Sequence, residues 1–236
     1  EVDDTRAALG RLAAAHRGDF DIATIAVGGS NGKTSTKELI AGLLRELGAT
    51  VWSEASFNND IGVPLTLLKL DDEHRSLIQE VGTNHPGELL PLVQMARPQI
   101  GVITSIGREH LEHFGDVAGV IREEGVLAEQ LPADGILILN GDDPHADELI
   151  GKTNARVVRV GFGEANEWQI SDVVMTFSGM KFSLRGPKIS FEELQIPLLG
   201  RHQVCNAGLA MAVGTELGLS SEQSRRALAK CTPPRG

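Results

Sequence analysis

From Thr24 onward, short apolar runs alternate with longer stretches whose hydrophobic residues recur every three or four positions. The runs predict strands over Thr24–Val27, Leu77–Val81, Val102–Ile106, Ile136–Leu139 and Val157–Val160. Between them the pattern predicts helices over Ser35–Leu47, Gly87–Ala96, Val117–Leu131 and Pro144–Ile150. In the first helix Leu39, Leu43, Leu44 and Leu47 share a face, and Gly48 supplies a stop. Strands alternating with helices of this length imply a parallel sheet covered on both faces.

Residues 167–198 change character. Trp168–Ser171, Val173–Phe177 and Lys181–Leu184 read as strands with Ser178-Gly179 as a turn, which predicts antiparallel hairpins. Helices return at His202–Leu217 and Ser221–Lys230, the second opened by a capping box of Ser220 and Gln223. At the other end, residues 1–19 read as an amphipathic helix with Leu9, Leu12 and Ala13 on one side. The expected fold class is therefore α/β. It has a mostly parallel sheet of the phosphate-loop type flanked by helices, with a small antiparallel sheet packed at one end.

Composition narrows the function. The chain has 236 residues, 41% hydrophobic and 23% charged, with a formal net charge of -10. That balance argues against a duplex-binding surface, and 4% aromatics with no Tyr leave little for base stacking. No apolar run is long enough to span a membrane. The two cysteines, Cys205 and Cys231, form neither a zinc motif nor a disulfide framework, so a reducing, cytoplasmic setting is expected. An anionic ligand would need specific loops or metal ions to overcome the general repulsion.

Such a loop is present. Gly28–Thr34 lies between a predicted strand and helix, with Gly29-Ser30-Asn31-Gly32-Lys33-Thr34 intact and Ser35 already helical. Backbone N–H groups of such a loop turn toward phosphate oxygens, the lysine reaches the terminal phosphates, and the Thr hydroxyl holds Mg²⁺. Val27 replaces the first glycine of the general pattern, and a Gly-rich helix cap is the bland alternative.

Three further residues sit where a metal would be held. Glu80 ends a strand at the carboxyl edge, and His110 follows another strand by four residues. Glu124 lies four residues after Val120 and three before Leu127, on the apolar stripe of its helix, where a carboxylate must be protonated, paired or metal-bound. Glu123 reads as solvated, while a salt bridge from Glu124 to Arg108 or Arg122 is the structural alternative. Asn58 and Asn59 are either ordinary turn residues or contacts to a phosphate or metal-bound water.

Taken in order and spacing, several stretches resemble the Mur ligases, the ATP-dependent enzymes that build the peptide of peptidoglycan. They are Gly29–Thr34, Asn58–Leu68, Glu80–Glu88, Thr104–Gly115, Leu139–Pro144 and Gly200–Asn206. The resemblance implies a central ATP-binding domain over 20–232, with 1–19 linking to a preceding domain and 233–236 opening a hinge to a following one. It implies that Lys33 binds the terminal phosphates of ATP, that Thr34, Glu80 and His110 hold Mg²⁺, and that Asn206 reads adenine. Asn140 and Asp143 match a nucleotide-proximal motif. Many relatives carry a lysine, modified to a carbamate, at the position of Glu124; the carboxylate here implies the same role without modification. A second departure is Gln203, where relatives usually have Asn.

The stretches over 58–64 and 84–88 are most like the member whose substrates are UDP-N-acetylmuramoyl-tripeptide and D-alanyl-D-alanine. The implied reaction passes through an acyl phosphate. Sister ligases that add a diamino acid, or glutamate to folate, share most of the ATP site and remain alternatives. So does a non-catalytic ATP-binding module. No nucleic-acid partner is expected; flanking domains of the same polypeptide are.

Overall fold

The computed structural model describes residues 1–108 and 111–231. The elements run α1 (Thr5–Arg17), β1 (Ala23–Gly28), α2 (Lys33–Leu44), β2 (Thr50–Trp52), α3 (Gly62–Leu67) and β3 (Ser76–Glu80). Next come α4 (Leu89–Ala96), β4 (Ile100–Ile103), α5 (Leu111–Phe114), α6 (Val117–Glu124), α7 (Val126–Glu129) and β5 (Ile136–Asn140). The chain continues through α8 (Ala146–Ile150), β6 (Arg156–Gly161), β7 (Trp168–Thr176), β8 (Gly179–Arg185), β9 (Ser190–Ile196), α9 (Arg201–Glu216) and α10 (Ser221–Ala229). No described helix is long and apolar enough to cross a membrane.

The nine strands among the described residues join one sheet, ordered β2-β3-β1-β4-β5-β6-β7-β8-β9. Pairs from β2 to β7 are parallel, while β7–β8 and β8–β9 are antiparallel. The antiparallel strands thus stand at one end as expected, and they continue the main sheet rather than forming a separate layer. The join is a short overlap in which Val160 pairs with Trp168 and Gly161 with Gln169.

Alternation along each central strand divides the core. Ile25, Val27, Ile78, Val102 and Ile138 face a layer with Leu43 of α2, Met211 of α9 and Leu228 of α10. Their neighbours Ala26, Leu77, Ile103, Leu137 and Leu139 face Leu67 of α3, Val93 of α4 and Leu127 of α7. Both faces are buried, which is why these strands read as continuous apolar runs.

Several boundaries differ from the expectation for local reasons. The helix expected over Val117–Leu131 breaks at Gly125 into α6 and α7. α2 starts two residues early, at Lys33, and stops at Leu44, short of Gly48. β2 and α3 were not expected: three residues show no usable period, and α3 contains Pro64 within its first turn. Ser220 and Gln223 do form the expected capping box.

Residues 1–19, expected to link to another domain, are docked here. Leu12 is 60% exposed, contrary to its predicted place on the apolar side; α1 buries Gly10, Ala13 and Arg17 instead. The small Gly10 and Ala13 allow close approach, and Arg17 is buried because three oxygens receive it. It donates to Ala96 O at 3.0 Å, Phe20 O at 2.6 Å and Thr24 Oγ1 at 2.6 Å, tying α1 to the start of β1 and the end of α4. Arg17→Met would strand these acceptors, and urea unfolding should show a loss of about 2–4 kcal/mol. A loss below about 0.5 kcal/mol would mean water replaces the guanidinium there.

Candidate active site

Strand order reverses around β1, because the chain leaves it toward β2 and β3 on one side and returns through β4 on the other. Ligands of parallel sheets bind at the carboxyl end of such a switch point. Gly28–Gly32 occupies it. Gly29 and Gly32 have φ of 108° and 90°, a region that glycine enters without steric cost. The Cβ of any other residue at 29 would stand 2.6 Å from Thr104 Oγ1, and at 32 it would stand 2.8 Å from Asn206 Oδ1.

Loops after the neighbouring strands hold this turn. Thr104 donates to Gly28 O through both N and Oγ1, each at 3.2 Å. Ser30 N donates to Ser105 O at 2.7 Å, and Ser30 Oγ accepts from Gly107 N at 2.8 Å. Asn31 exchanges longer bonds with the Ser105 side chain. Lys33 arches back over the loop, its Nζ donating to Gly29 O at 2.5 Å and Ser30 O at 3.1 Å. Gly32 brings no side chain to cap α2, so first-turn N–H groups at Lys33, Thr34 and Ser35 point toward the loop's ligand side.

Two predicted carboxylates stand at this end of the sheet, one bonded to the loop and one beside it. Glu124 is 2% exposed, and its Oε2 accepts from Gly29 N at 2.6 Å. Glu80 is 1% exposed and pairs in register with Val27. Its Oε1 accepts from Asn58 Nδ2 at 2.9 Å, its Oε2 lies 3.8 Å from Lys37 Nζ, and among the described residues Oε2 receives no hydrogen bond. His110 lies outside the described residues. Among those described, no three carboxylate, imidazole or thiol groups gather as a ready-made metal cage.

The other predicted residues divide. Asn140 and Asn206 line a cavity of about 310 Å³ together with Asn31, Gly32, Thr104 and His202. Asn206 is buried against Gly32, and its Nδ2 donates to Gln203 Oε1 at 3.2 Å; Gln203 Nε2 reaches Ser35 Oγ at 3.4 Å. Asp143 is instead engaged by backbone, accepting from Ile106 N at 2.7 Å and His145 N at 2.9 Å, so it fixes the loop after β4. Asn59 is a turn residue whose Oδ1 accepts from Ile61 N and Gly62 N to start α3.

Two buried charges escaped the sequence reading. Lys37 is fully buried and donates to Ser53 O at 2.7 Å and Ala55 O at 2.5 Å besides its ion pairs with Glu38 and Glu80. Its spacing from Ile40, Ala41 and Leu44 is the same sign that exposed Glu124. Glu123 was expected to be solvated and is not: it is 7% exposed and accepts from Gly87 N at 2.8 Å and Leu89 N at 2.9 Å. It stands three residues after Val120 and four before Leu127, so the spacing that placed Glu124 on the stripe admits Glu123 equally.

A larger cavity of about 890 Å³ opens beside the end of β3, lined by α1, the 59–60 turn and the loop 82–88. Arg6, Arg11 and His85 bring positive or titratable groups to it, and Asp4, Asp60 and Glu88 bring carboxylates. Burial alone would raise the Glu88 carboxyl, but N–H donors from Asn84 and His85 outweigh it and hold the group below its ordinary range. Its wall begins at Gly82 and Asn59, beside Glu80 and the Asn58 that binds it.

A family model described as the Mur ligase middle domain matches residues 27–214. UDP-N-acetylmuramoyl-tripeptide--D-alanyl-D-alanine ligase of Escherichia coli is 37% identical over 99% of this chain and 52% of its own length. The crystal structure of MurF from Acinetobacter baumannii superposes with a TM-score of 0.93 at 32% identity, over 100% of this chain and 52% of that one. MurF ligase from Thermotoga maritima in complex with ADP shares the fold, with a TM-score of 0.88 at 22% identity over 98% of this chain and 53% of that one. The chain spans about half the length of these relatives.

Burial pushes the Cys205 thiol up to about 12, with Asp142 and Asp143 adding to the shift. A thiol reagent at pH 8 should therefore leave Cys205 unmodified in the native chain and label it only after unfolding. Rapid native labelling would mean that the cavity wall opens. Gly32→Ala should lower stability by about 1–3 kcal/mol in urea titrations, from its φ and its clash with Asn206. An unchanged midpoint would show that Asn206 moves aside without cost.

Proposed function

Since the chain belongs to the Mur ligase family and spans its middle domain, we propose that it is the ATP-binding core of a peptidoglycan-precursor ligase. In this reading the enzyme joins D-alanyl-D-alanine to UDP-N-acetylmuramoyl-tripeptide, and the rest of the relatives' length supplies the other contacts to both substrates. The observation that carries the reading is the Gly29–Thr34 turn at the switch point, with Glu80 on one side, Glu124 beneath it and the Asn206 cavity beyond it.

Each residue has a task that its position supports. The N–H groups at the start of α2 and the Lys33 ammonium offset phosphate charge, and Asn206 and Asn140 line the place for the base. A buried carboxylate oxygen without a hydrogen-bond donor, as on Glu80, suits a divalent cation, so Thr34, Glu80, His110 and Glu124 would hold Mg²⁺. Bound there, Mg²⁺ would neutralise charge on the phosphates and on an approaching carboxylate. The 890 Å³ cavity is of the size that takes a large ligand, and Arg11, together with Arg6 beside its Asp60 partner at 3.2 Å, suits an anionic precursor whose terminal carboxylate ends near Glu80. That carboxylate attacks the terminal phosphorus and releases ADP, giving an acyl phosphate. The amine of the dipeptide then forms the C–N bond, phosphate leaves with the C–O electron pair, and the ammonium proton is lost.

The test is phosphate release from ATP by the full-length enzyme with Mg²⁺ and both substrates. Release should require both, and Lys33→Ala should lower it by about 10²–10³-fold. Glu124→Ala should abolish it, and added bicarbonate should leave the parent rate unchanged, because a carboxylate needs no carbamylation. Full activity in Glu124→Ala would remove Glu124 from the site; release without the dipeptide would overturn the ligase reading.

A further inference from the structure

α6 ends in two adjacent buried carboxylates that face different loops. Glu124 takes the N–H of Gly29, in the phosphate turn. Glu123 takes the N–H groups of Gly87 and Leu89, and Thr83 Oγ1 lies 3.4 Å from its Oε1. The segment it holds, Thr83–Leu89, is a wall of the large cavity through Asn84, His85, Gly87 and Glu88.

Leu89 anchors the end of this segment in the core, and His85 packs its ring against His113, while residues 84–88 are exposed. Glu88 closes it on itself, accepting from Asn84 N at 2.9 Å, His85 N at 3.1 Å and His85 Nδ1 at 3.1 Å. Those bonds shape the loop but do not fix where it stands. Among the described polar contacts, the bonds to Glu123 are the ones that tie it to another element. Gly87 has φ of 88°, so the chain turns sharply at the point where Glu123 grips it. A carboxylate suits the task because it accepts at both oxygens, and it complements the N-terminal end of α4.

We propose that Glu123 is a positioning residue for the precursor. It sets the distance between the cavity wall and the phosphate turn by holding the first from the helix that holds the second. Adjacent carboxylates on one rigid turn make the two loops move as a unit, so the wall is in register with the phosphates when α6 is in place. The inference rests on the proposed seating of the precursor in this cavity.

Glu123→Gln is the isosteric test, because an amide accepts at one atom only and turns an NH₂ toward the second N–H. In the full-length enzyme its KM for UDP-N-acetylmuramoyl-tripeptide should rise about tenfold or more, with the ATP dissociation constant changed less than twofold. Amide exchange at Gly87 and Leu89 should accelerate, while exchange at Gly29 stays as in the parent. Glu123→Ala should show a larger KM effect in the same direction. An unchanged KM with faster exchange at Gly87 and Leu89 would overturn the proposal, since the loop would then be loose without consequence. Equal losses for ATP and precursor would overturn it too, by assigning Glu123 a merely structural role. A parent enzyme that binds ATP but never consumes the tripeptide would instead sink the functional reading. Exchange at Gly87 and Leu89 would then still decide whether Glu123 fixes the loop, and slow exchange in the Gln variant would refute that.

Discussion

A carboxylate only 2% exposed, on a helix end packed beside the tip of a parallel sheet, has to be matched by donors, and the bond from Gly29 N to Glu124 does part of that work. The same bond decides the shape of the turn. Gly29 is held in a conformation open to glycine, its neighbour Gly28 accepts two bonds from Thr104, and Lys33 is drawn back across the loop. Remove the carboxylate and a buried N–H loses its partner in the segment where positions must be held to a fraction of an ångström. The turn is therefore not a flexible strap waiting for an anion. It is pre-shaped from below by α6, from one side by β3 and from the other by the loop after β4.

This arrangement also reconciles a net charge of -10 with the anion site proposed at the turn. The acidic residues nearest the turn are not loose in the cavity: Glu124 is bonded to backbone, and Glu80 is bonded to Asn58 and faces Lys37. Lys37 is fully buried, yet its ammonium meets two carbonyls of the loop 53–55 as well as Glu80. Burying one member of such a group without the others would cost several kcal/mol, on the order of 3–5 for a broken buried pair. The cluster therefore behaves as one unit, linking α2, the loop after β2 and the end of β3 on the side of the turn opposite β4.

How much of this was legible in the chain depends on the length of the signal. Strands buried on both faces announce themselves as apolar runs, so β1, β3, β4, β5 and β6 were readable to within a few residues. β9 was not, because Glu193 has φ of 52° and a register shift interrupts the alternation that identifies an edge strand. Asp172 does the same within β7, where two apparent strands are one bulged strand. At the site, Gly29–Thr34 and Glu124 could be found from spacing alone. Lys37 carries the same sign, at helical spacing from Ile40, Ala41 and Leu44. Glu123 shares the stripe of Glu124 because a helix face is about 100° wide, so two adjacent residues can both fall within it. Which loop each carboxylate meets is a tertiary fact with no local trace.

Gln203 shows how such tertiary facts depend on one another. Asn206 lies against Gly32, where any side chain would collide with its amide, so its position depends on a glycine in another element. Its orientation depends on Gln203, which takes the Nδ2 hydrogen and leaves Oδ1 toward Gly32. Gln203 in turn reaches Ser35 on α2, joining the helix that begins at the phosphate turn to the helix that carries Asn206. Gln203 thus bridges α2 and α9 behind Asn206, which lines the 310 Å³ cavity. The amide facing that cavity is held by a residue outside the phosphate motif, and its hydrogen-bonding sense follows from the partner behind it rather than from its own identity.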